Sequence, residues 1–419
     1  MPLRFLTAGE SHGPTLTAIL EGMPAGLPLS PDDINPDLAR RQGIRRGDPG
    51  GRLESRPYIG ASPRMKLERD TATLVGGVMA GVTIGAPIAL QVQNLDHAKW
   101  RGKAVEPMTV PRPGHADLTG AVKYGYSDLR MSLERASARE TTARVAVGAV
   151  CRKFLAQFGV RVGSYVTEIG GVAAALGEMP LEERIGRALD SEMGCPDEAA
   201  SLAMHDRVQQ IMQDKDTLGG VFEVAALGLP PGLGSHVHWD RRLSGRLAQA
   251  MLSIHAMKGV EIGEAFANAK RTGTEVHDEI VLGDRRQTTD DDLAFIAHRS
   301  SFIVRKTNRA GGLEGGITTG QPIILRVAMK PISTTLTPLM SVGLATGEPA
   351  ATEYERSDFC AVPRAGVIGE AMACFVLADA LLEKLGGDSL SEMLPRFEAL
   401  RQMRLEDFVM MNKPQTFWP

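Results

Sequence analysis

A chain of 419 residues with 43% apolar and 23% charged side chains has the composition of a globular protein with room for a large core. The net charge of -3 excludes a global basic field for nucleic acid or an anionic membrane. Four widely separated cysteines form no CxxC pair, which argues against a zinc site or a disulfide scaffold and fits a reducing compartment. The first thirteen residues lack a signal peptide's apolar run and no stretch of about 18 apolar residues is present, so we expect a cytoplasmic protein that spans no membrane.

Two segments share the pattern T-x-G-x-P-I-x-L-x-V, at residues 83–92 and 318–327. In each, a glycine turn and a proline precede a strand whose apolar positions alternate. One interpretation is chance similarity between two common strand openings. The other is a pair of similar sheets in one pseudo-symmetric body.

Three helices are predicted from capping and apolar spacing. Ser137 and Glu140 form a capping-box pattern before a helix that ends near Gly159. Asp240 precedes a second helix, which ends near Gly259, and a third helix runs from about residue 368 to the glycine pair at 386–387. Strands mixed with isolated helices predict an α+β fold and not a repeating βαβ sheet.

The predicted organisation is a single catalytic domain over residues 1–387 with a C-terminal tail at 388–419. An acidic helical stretch at 173–216 is interpreted as a surface insertion. Polar or glycine-rich segments at 43–63 and 284–301 are expected to be loops.

Arginine placement is the most informative local feature, because two dense groups stand in a slightly acidic chain. Arginine offers a planar fork of donors to phosphate and carboxylate, and the interleaved glycines allow close approach of the backbone. The pattern therefore favours a pocket for a polyanionic small molecule, although a solvated basic loop or an RNA-binding loop has the same composition. The two groups are Arg40, Arg41, Arg45, Arg46, Arg52, Arg56, Arg64 and Arg69, and Arg112, Arg130, Arg135, Arg139 and Arg144.

Two histidines stand in turns that suit ligand contact. His12 lies in the glycine-flanked sequence GESHG at 9–13, and His115 lies between Arg112 and Asp117. An imidazole titrates near neutral pH, so either side chain could serve as an acid or a base. Neither a G-x-S-x-G elbow nor a G-x-G-x-x-G or P-loop sequence is present. His236 and His238 lack an obvious third ligand, so no metal site is expected.

These motifs together resemble those of one family, the chorismate synthases. The resemblance follows the chain in order from the first residues to about residue 387. It rests on GESHG at 9–13, RPGHAD at 112–117, LERASARET at 133–141, AMKGVEIG at 256–263, NRAGGLEGG at 308–316, KPIST at 330–334 and RSDFCAVPRAGV at 356–367.

The resemblance implies a single α+β domain with a helical layer between antiparallel sheets, assembled as a homotetramer. It implies conversion of 5-enolpyruvylshikimate 3-phosphate to chorismate by loss of phosphate and a ring proton on opposite faces. Reduced FMN is then required without net redox change, and the electrons come from NADPH or from an external flavin reductase. No nucleic acid or membrane partner is expected.

The resemblance also implies roles for individual residues. His12, His115 and Asp358 would be catalytic, and Arg41, Arg46, Arg64 and Arg112 would bind substrate or NADP. FMN would contact Arg135, Ala136, Ser137, His255, Ala256, Gly315, Lys330, Pro331, Ile332, Ser333, Thr334 and Arg356. The loop from Gly47 to Pro63 is longer than usual for the family, so Arg45 stays an alternative to Arg46.

Two other functions remain open from the residues alone. One is a noncatalytic polyanion- or RNA-binding protein that uses the arginines at 40–69. The other is a phosphotransferase of the same pathway, which would need a second phosphorylated substrate and no flavin.

Overall fold

The computed structural model describes residues 2–43, 59–60, 69–283, 302–353 and 357–418. Strands and helices are numbered here in chain order within those ranges. The strands are β1 Arg4–Ala8, β2 Thr15–Glu21, β3 Ala72–Gly76, β4 Val78–Met79, β5 Val82–Thr83, β6 Ile88–Gln93, β7 Arg161–Ile169, β8 Val172–Ala173, β9 Gly220–Leu227, β10 Met257–Ile262, β11 Ile280–Gly283, β12 Phe302–Arg305, β13 Leu313–Glu314, β14 Ile317–Thr318, β15 Ile323–Met329, β16 Met340–Val342 and β17 Pro349–Ala351. The helices are α1 Asn35–Arg41, α2 Asp117–Tyr124, α3 Arg130–Ala136, α4 Thr141–Ala156, α5 Leu181–Asp190, α6 Glu198–Gln213, α7 Leu243–Leu252, α8 Ala265–Asn268, α9 Gly273–Val276, α10 Val362–Leu385 and α11 Leu390–Glu398.

Two antiparallel sheets enclose a helical layer. The first sheet has the strand order β1-β2-β6-β3 and the second has the order β10-β15-β9-β7-β8. Helix α4 packs on β2 and β6, whereas α10 packs on β7 and β9. The two helices also pack on each other, so the core runs from one sheet through both helices to the other. This architecture confirms the predicted α+β fold.

The helices α4 and α10 approach closely because both have a residue with little or no side chain where they cross. A Cβ atom built on Gly148 of α4 would lie 2.3 Å from the Cβ atom of Ala371 in α10. Helix α10 is also apolar enough to cross a membrane by length and composition, although Glu370 and Asp379 interrupt its sequence. These charged residues leave no uninterrupted run of about 18 apolar residues, and 89% of the helix's most apolar window is buried within the protein, as in a core helix.

The two sheets are built alike, and the repeated sequence pattern marks equivalent positions in them. The Thr83 hydroxyl accepts a hydrogen bond from the Leu27 amide at 3.0 Å and donates to the Pro24 carbonyl at 2.6 Å. The Thr318 hydroxyl repeats this arrangement with the Leu233 amide at 2.8 Å and the Pro230 carbonyl at 2.7 Å. The strands that follow, β6 and β15, each occupy an inner position of their sheet. This correspondence confirms the predicted internal pseudo-symmetry.

The predicted helices are present with shifted starts. Ser137 caps a short 3-10 turn at Ala138–Glu140, and α4 begins only at Thr141. The predicted capping box is wrong, because the Glu140 carboxylate binds the Thr7 hydroxyl and the Arg144 guanidinium instead. Helix α10 begins at Val362, earlier than predicted, with Pro363 in its first turn, where a missing amide costs nothing.

The segment at 173–216 contains α5 and α6, and α6 buries Met204, Val208 and Ile211. The tail begins with α11. The domain boundaries given by the sequence stay a prediction. The loop predicted at 284–301 lies outside the described residues, as does most of the loop at 43–63.

Candidate active site

The His12 turn connects β1 and β2, and neighbouring elements fix it from several sides. The Asn94 amide donates to the carbonyls of Glu10 at 3.2 Å and of Gly13 at 2.8 Å. Gly9 adopts φ +111°, and a Cβ atom there would lie 2.4 Å from the Thr15 carbonyl oxygen, so only glycine fits. The turn therefore presents His12 from a rigid support.

Glu134 of α3 holds His12 in position. The His12 backbone amide donates to one carboxylate oxygen at 2.8 Å, and ring atom Nδ1 lies 2.6 Å from the other. Burial alone would raise the pKa of Glu134, but these bonds from His12 outweigh it and hold the pKa below its usual value. The Trp100 ring lies against the imidazole with 4.3 Å between ring centroids. With Nδ1 engaged, Nε2 is the ring atom left for a ligand.

A second carboxylate holds His115 in the same way. Asp117 Oδ1 lies 2.6 Å from His115 Nδ1, and the Arg112 guanidinium donates to both Asp117 oxygens, at 2.7 and 3.0 Å. Arg112 also donates to the Thr334 hydroxyl at 3.1 Å. The structure thus joins two motifs that lie 222 residues apart in the sequence.

The segment at 330–334 connects this cluster to Asp358. The Ser357 hydroxyl donates to the Thr334 carbonyl at 2.9 Å, and the neighbouring Asp358 is buried and paired with Arg364 in the first turn of α10. At the other end of the segment, Lys330 Nζ donates to the Gly114 carbonyl, next to His115, at 3.0 Å. Pro331, Ile332 and Ser333 lie between, and the Ile332 carbonyl accepts from Thr217 at 2.7 Å.

His255 and Ala256 follow α7 in a strained turn. Ala256 has φ +67°, and its carbonyl accepts the Lys330 backbone amide at 3.0 Å. Burial is the largest cause that lowers the pKa of His255 to about 4, and the charges of Arg144, His115 and Arg41 act in the same direction. Among the described residues, His255 Nδ1 is buried without a hydrogen-bond partner. A buried imidazole with an unused nitrogen suits contact with a ligand.

Arg41 is buried at the end of α1 and reaches the start of α4. Its guanidinium donates to the Thr141 hydroxyl at 3.0 Å and to the Ala138 carbonyl at 2.8 Å. Ser137 accepts the Arg139 amide at 3.3 Å and also donates to the Ser11 hydroxyl at 3.1 Å. The cap and the His12 turn are therefore in direct contact.

Some of the residues predicted to contact FMN lie further from the histidine clusters or have no described contact with them. Arg135 is half exposed and donates to the Thr7 and Gly9 carbonyls, beside Ala136 at the end of α3. Gly315 lies in the turn between β13 and β14, where a Cβ atom would meet His236 at 3.8 Å. No contact described for Gly315 joins it to His12, His115 or His255. Arg46 and its alternative Arg45, Arg64 and Arg356 lie outside the described residues.

Two arginines of the predicted pocket groups serve the protein interior instead. Arg139 binds Asn94 and Asp70, both at 2.7 Å. Arg40 binds the fully buried carboxylate of Glu370 beside a cavity of about 800 Å³. That cavity's described lining includes none of the predicted site residues, and a smaller cavity of about 500 Å³ lies against Glu134 and Arg135. The smaller cavity is lined by Glu10 of the His12 turn and by the predicted site residue Arg135, and so it is the cavity next to the candidate site.

Sequence reasoning missed Glu134, Trp100 and the role of Asp117. Glu134 stands within the motif at 133–141, but only the fold brings it to His12, 122 residues away. A carboxylate two residues after a histidine was a usable signal for Asp117. Together these groups provide two carboxylate-bound histidines next to buried arginine, which suits proton transfer to and from an anionic ligand.

The fold and the site define an α+β enzyme whose histidine, carboxylate and arginine side chains suit acid–base chemistry on an anionic ligand. The profile of the family described as chorismate synthase matches residues 3–382, and the chain belongs to this family. It is 50% identical over 401 residues to the chorismate synthase of Trichlorobacter lovleyi, with 93% of this chain and 96% of that protein covered. It is 49% identical to that of Aquifex aeolicus, with 94% and 96% covered. A crystal structure of a chorismate synthase matches with a TM-score of 0.73 at 44% identity, covering 95% of this chain and 97% of the other.

Proposed function

We propose that this chain eliminates phosphate and a ring proton from 5-enolpyruvylshikimate 3-phosphate to form chorismate, the last common step toward the aromatic amino acids. The observation that carries the proposal is the contact network from His115 through Asp117, Arg112 and Thr334 to Ser357 and Asp358. It gathers a proton donor, an anion-binding arginine and a second carboxylate from three distant segments.

The proposed catalytic roles are those that the family resemblance implies, and the chemistry of each side chain is compatible with its role. His115 gives a proton from Nε2 to the departing phosphate. Asp358 would assist removal of the ring proton, and His12 would stabilise the anionic form of the reduced flavin. Arg41, Arg46, Arg64 and Arg112 bind the substrate's phosphate and carboxylates or the phosphates of NADP.

The residues around His255 fit FMN. His255 Nδ1, which has no partner among the described residues, the Lys330 ammonium and the Ser137 cap of the 3-10 turn before α4 offer hydrogen-bonding groups to a polar, phosphorylated ring system. We propose that FMN contacts Arg135, Ala136, Ser137, His255, Ala256, Gly315, the segment from Lys330 through Thr334, and Arg356. Reduced FMN supplies electron density that assists the departure of phosphate without net oxidation.

The protein is proposed to act as a homotetramer in the cytoplasm and to receive reduced flavin from an external reductase. The absence of a G-x-G-x-x-G sequence supports that dependence. Purified protein with oxidised FMN and NADPH alone should then form little product, and dithionite should restore activity. Equal rates with NADPH alone would assign the reductase function to this chain.

Anaerobic turnover tests the function. Reconstituted protein with reduced FMN and the enolpyruvyl substrate should raise chorismate absorbance continuously, and filter binding should detect no specific RNA complex. A preparation that binds RNA, and neither takes up FMN nor forms chorismate, would establish the polyanion-binding alternative.

A further inference from the structure

Asp117 is a fully buried carboxylate at the first residue of α2, and four donors converge on it. Oδ2 accepts the Arg112 backbone amide at 3.1 Å and Arg112 Nε at 2.7 Å. Oδ1 accepts Arg112 Nη2 at 3.0 Å and His115 Nδ1 at 2.6 Å. Burial alone would raise the pKa of Asp117, but the bonds from His115 and Arg112 outweigh it and keep the pKa well below its usual value. Asp117 is therefore an anion.

An anionic partner at Nδ1 fixes the form of the imidazole. Asp117 Oδ1 can only accept, so Nδ1 carries a hydrogen and Nε2 is left for the ligand. Arg112 Nη2 lies 3.1 Å from the same Nδ1, but both atoms are donors, and Oδ1 satisfies both of them. The contact between arginine and histidine is therefore a consequence of their shared carboxylate.

The side chains around His115 are mostly cationic, so the negative charge of Asp117 matters for the charge balance at the imidazole. Arg112 faces the ring from the same segment, Lys330 reaches the neighbouring Gly114 carbonyl, and the charge of His115 acts on His255. Arg112 and the Lys330 ammonium are positive, and Asp117 supplies the negative charge next to the ring. Donation of a proton from Nε2 requires an imidazolium.

We propose that Asp117 is a positioning residue for the elimination, a conclusion that rests on the proposed function. It holds His115 with Nδ1 protonated, provides the counter-ion of the imidazolium, and fixes the acid relative to Arg112. In the step it supports, the carbon–oxygen bond breaks and its electron pair stays on the phosphate oxygen, and the pair left by the departing ring proton completes the new carbon–carbon double bond of the product. That oxygen takes the proton from Nε2, and the neutral imidazole keeps its Nδ1–H bond to Asp117.

A double-mutant cycle tests the coupling under nitrogen with reduced FMN. Asp117→Asn should lower kcat about a hundredfold in the wild-type background. In the His115→Ala background it should lower kcat less than threefold, because the group through which it acts is gone. The alkaline limb of the kcat profile of Asp117→Asn should also move to lower pH, because the negative charge next to the imidazole is lost. Equal losses in both backgrounds, or an unmoved limb, would overturn the proposal.

Asp37→Asn is the matched control, because Asp37 is also a buried carboxylate bound by an arginine, at 2.8 Å from Arg152 Nε, but has no histidine partner among the described residues. It should reduce stability and leave the pH profile in place. If Asp117→Asn does not fold, a spectrum of the unmutated protein tests the proposal instead. The spectrum of ¹⁵N-labelled histidine, assigned with His115→Ala, should show the Nδ1–H form, and an Nε2–H form would overturn the proposal. Failure of wild-type turnover would instead contradict the proposed function.

Discussion

Glu134 binds His12 twice, through the backbone amide at 2.8 Å and through Nδ1 of the ring at 2.6 Å. A single carboxylate thus fixes both the turn and the orientation of its imidazole. His115 Nδ1 is engaged by Asp117 in the same way, so both histidines have Nδ1 held by a carboxylate.

Glu134→Gln tests the first of these pairs. An amide keeps the shape but loses the negative charge that holds the ring, and we expect the single-turnover rate to fall about tenfold or more. The affinity for reduced FMN, measured by fluorescence titration, should change less. Glu183→Gln on α5, where the carboxylate pairs with Arg187 at the surface, is the control. An unchanged rate in Glu134→Gln would remove Glu134 from the positioning of His12.

Asp358→Asn should separate binding from proton removal. The side chain is buried and paired with Arg364, so the substitution removes a charge without exposing a surface. FMN binding should persist, and removal of the ring proton in single turnover should slow about a hundredfold. Asp388→Asn, an exposed carboxylate beyond the other end of α10, is the control. A wild-type rate for that step in Asp358→Asn contradicts the assignment.

The lowered pKa of His255 predicts how the free energy of unfolding depends on pH in the protein without ligands. Its pKa is lowered from 6.5 to about 4 by burial, so between these values the unfolded chain binds a proton that the folded protein does not. The contribution is complete above pH 6.5 and is lost as pH falls toward 4, by at most about 3 kcal/mol. His255→Asn should flatten the slope of urea stability against pH between 6.5 and 5, and His205→Asn on α6 should not. Identical slopes for the wild type and His255→Asn would refute this.

The crossing of α4 and α10 gives a test of the fold. Gly148→Ala forces a methyl group to within 2.3 Å of Ala371 and should lower the free energy of unfolding by about 1–3 kcal/mol. Gly186→Ala on α5 meets no heavy atom within 4 Å and should raise it by about 0.4–1 kcal/mol. Urea unfolding of both variants decides, and a Gly148→Ala protein as stable as Gly186→Ala would exclude the close approach.

The sequence predicted those parts of the fold in which a short motif makes its own hydrogen bonds to nearby backbone. Thr83 and Thr318 each make the same pair of hydrogen bonds, one to a backbone amide and one to a backbone carbonyl. The repeated sequence pattern was therefore enough to indicate repeated sheets. Ser137 was correctly predicted as a cap, but Glu140 was assigned to that cap, whereas its carboxylate binds Thr7, which is distant in sequence, and Arg144, four residues further along the chain.

The site was harder to predict because its partners come from distant segments. Nothing local distinguishes Arg139, which supports Asp70 and Asn94, from Arg112, which faces His115. Glu134 likewise gains its role only when α3 meets the His12 turn. Spacing can identify a histidine with a carboxylate two residues away, but not one whose carboxylate lies 122 residues away.

The most direct test of the account counts chorismate formed per reduced flavin. Under nitrogen, a limiting amount of dithionite-reduced FMN on the protein should support many turnovers while the flavin spectrum returns to the reduced form at the end. Phosphate and chorismate should be released in equal amounts. One chorismate for each flavin oxidised, or release of phosphate without chorismate, would contradict an elimination without net redox change at this site.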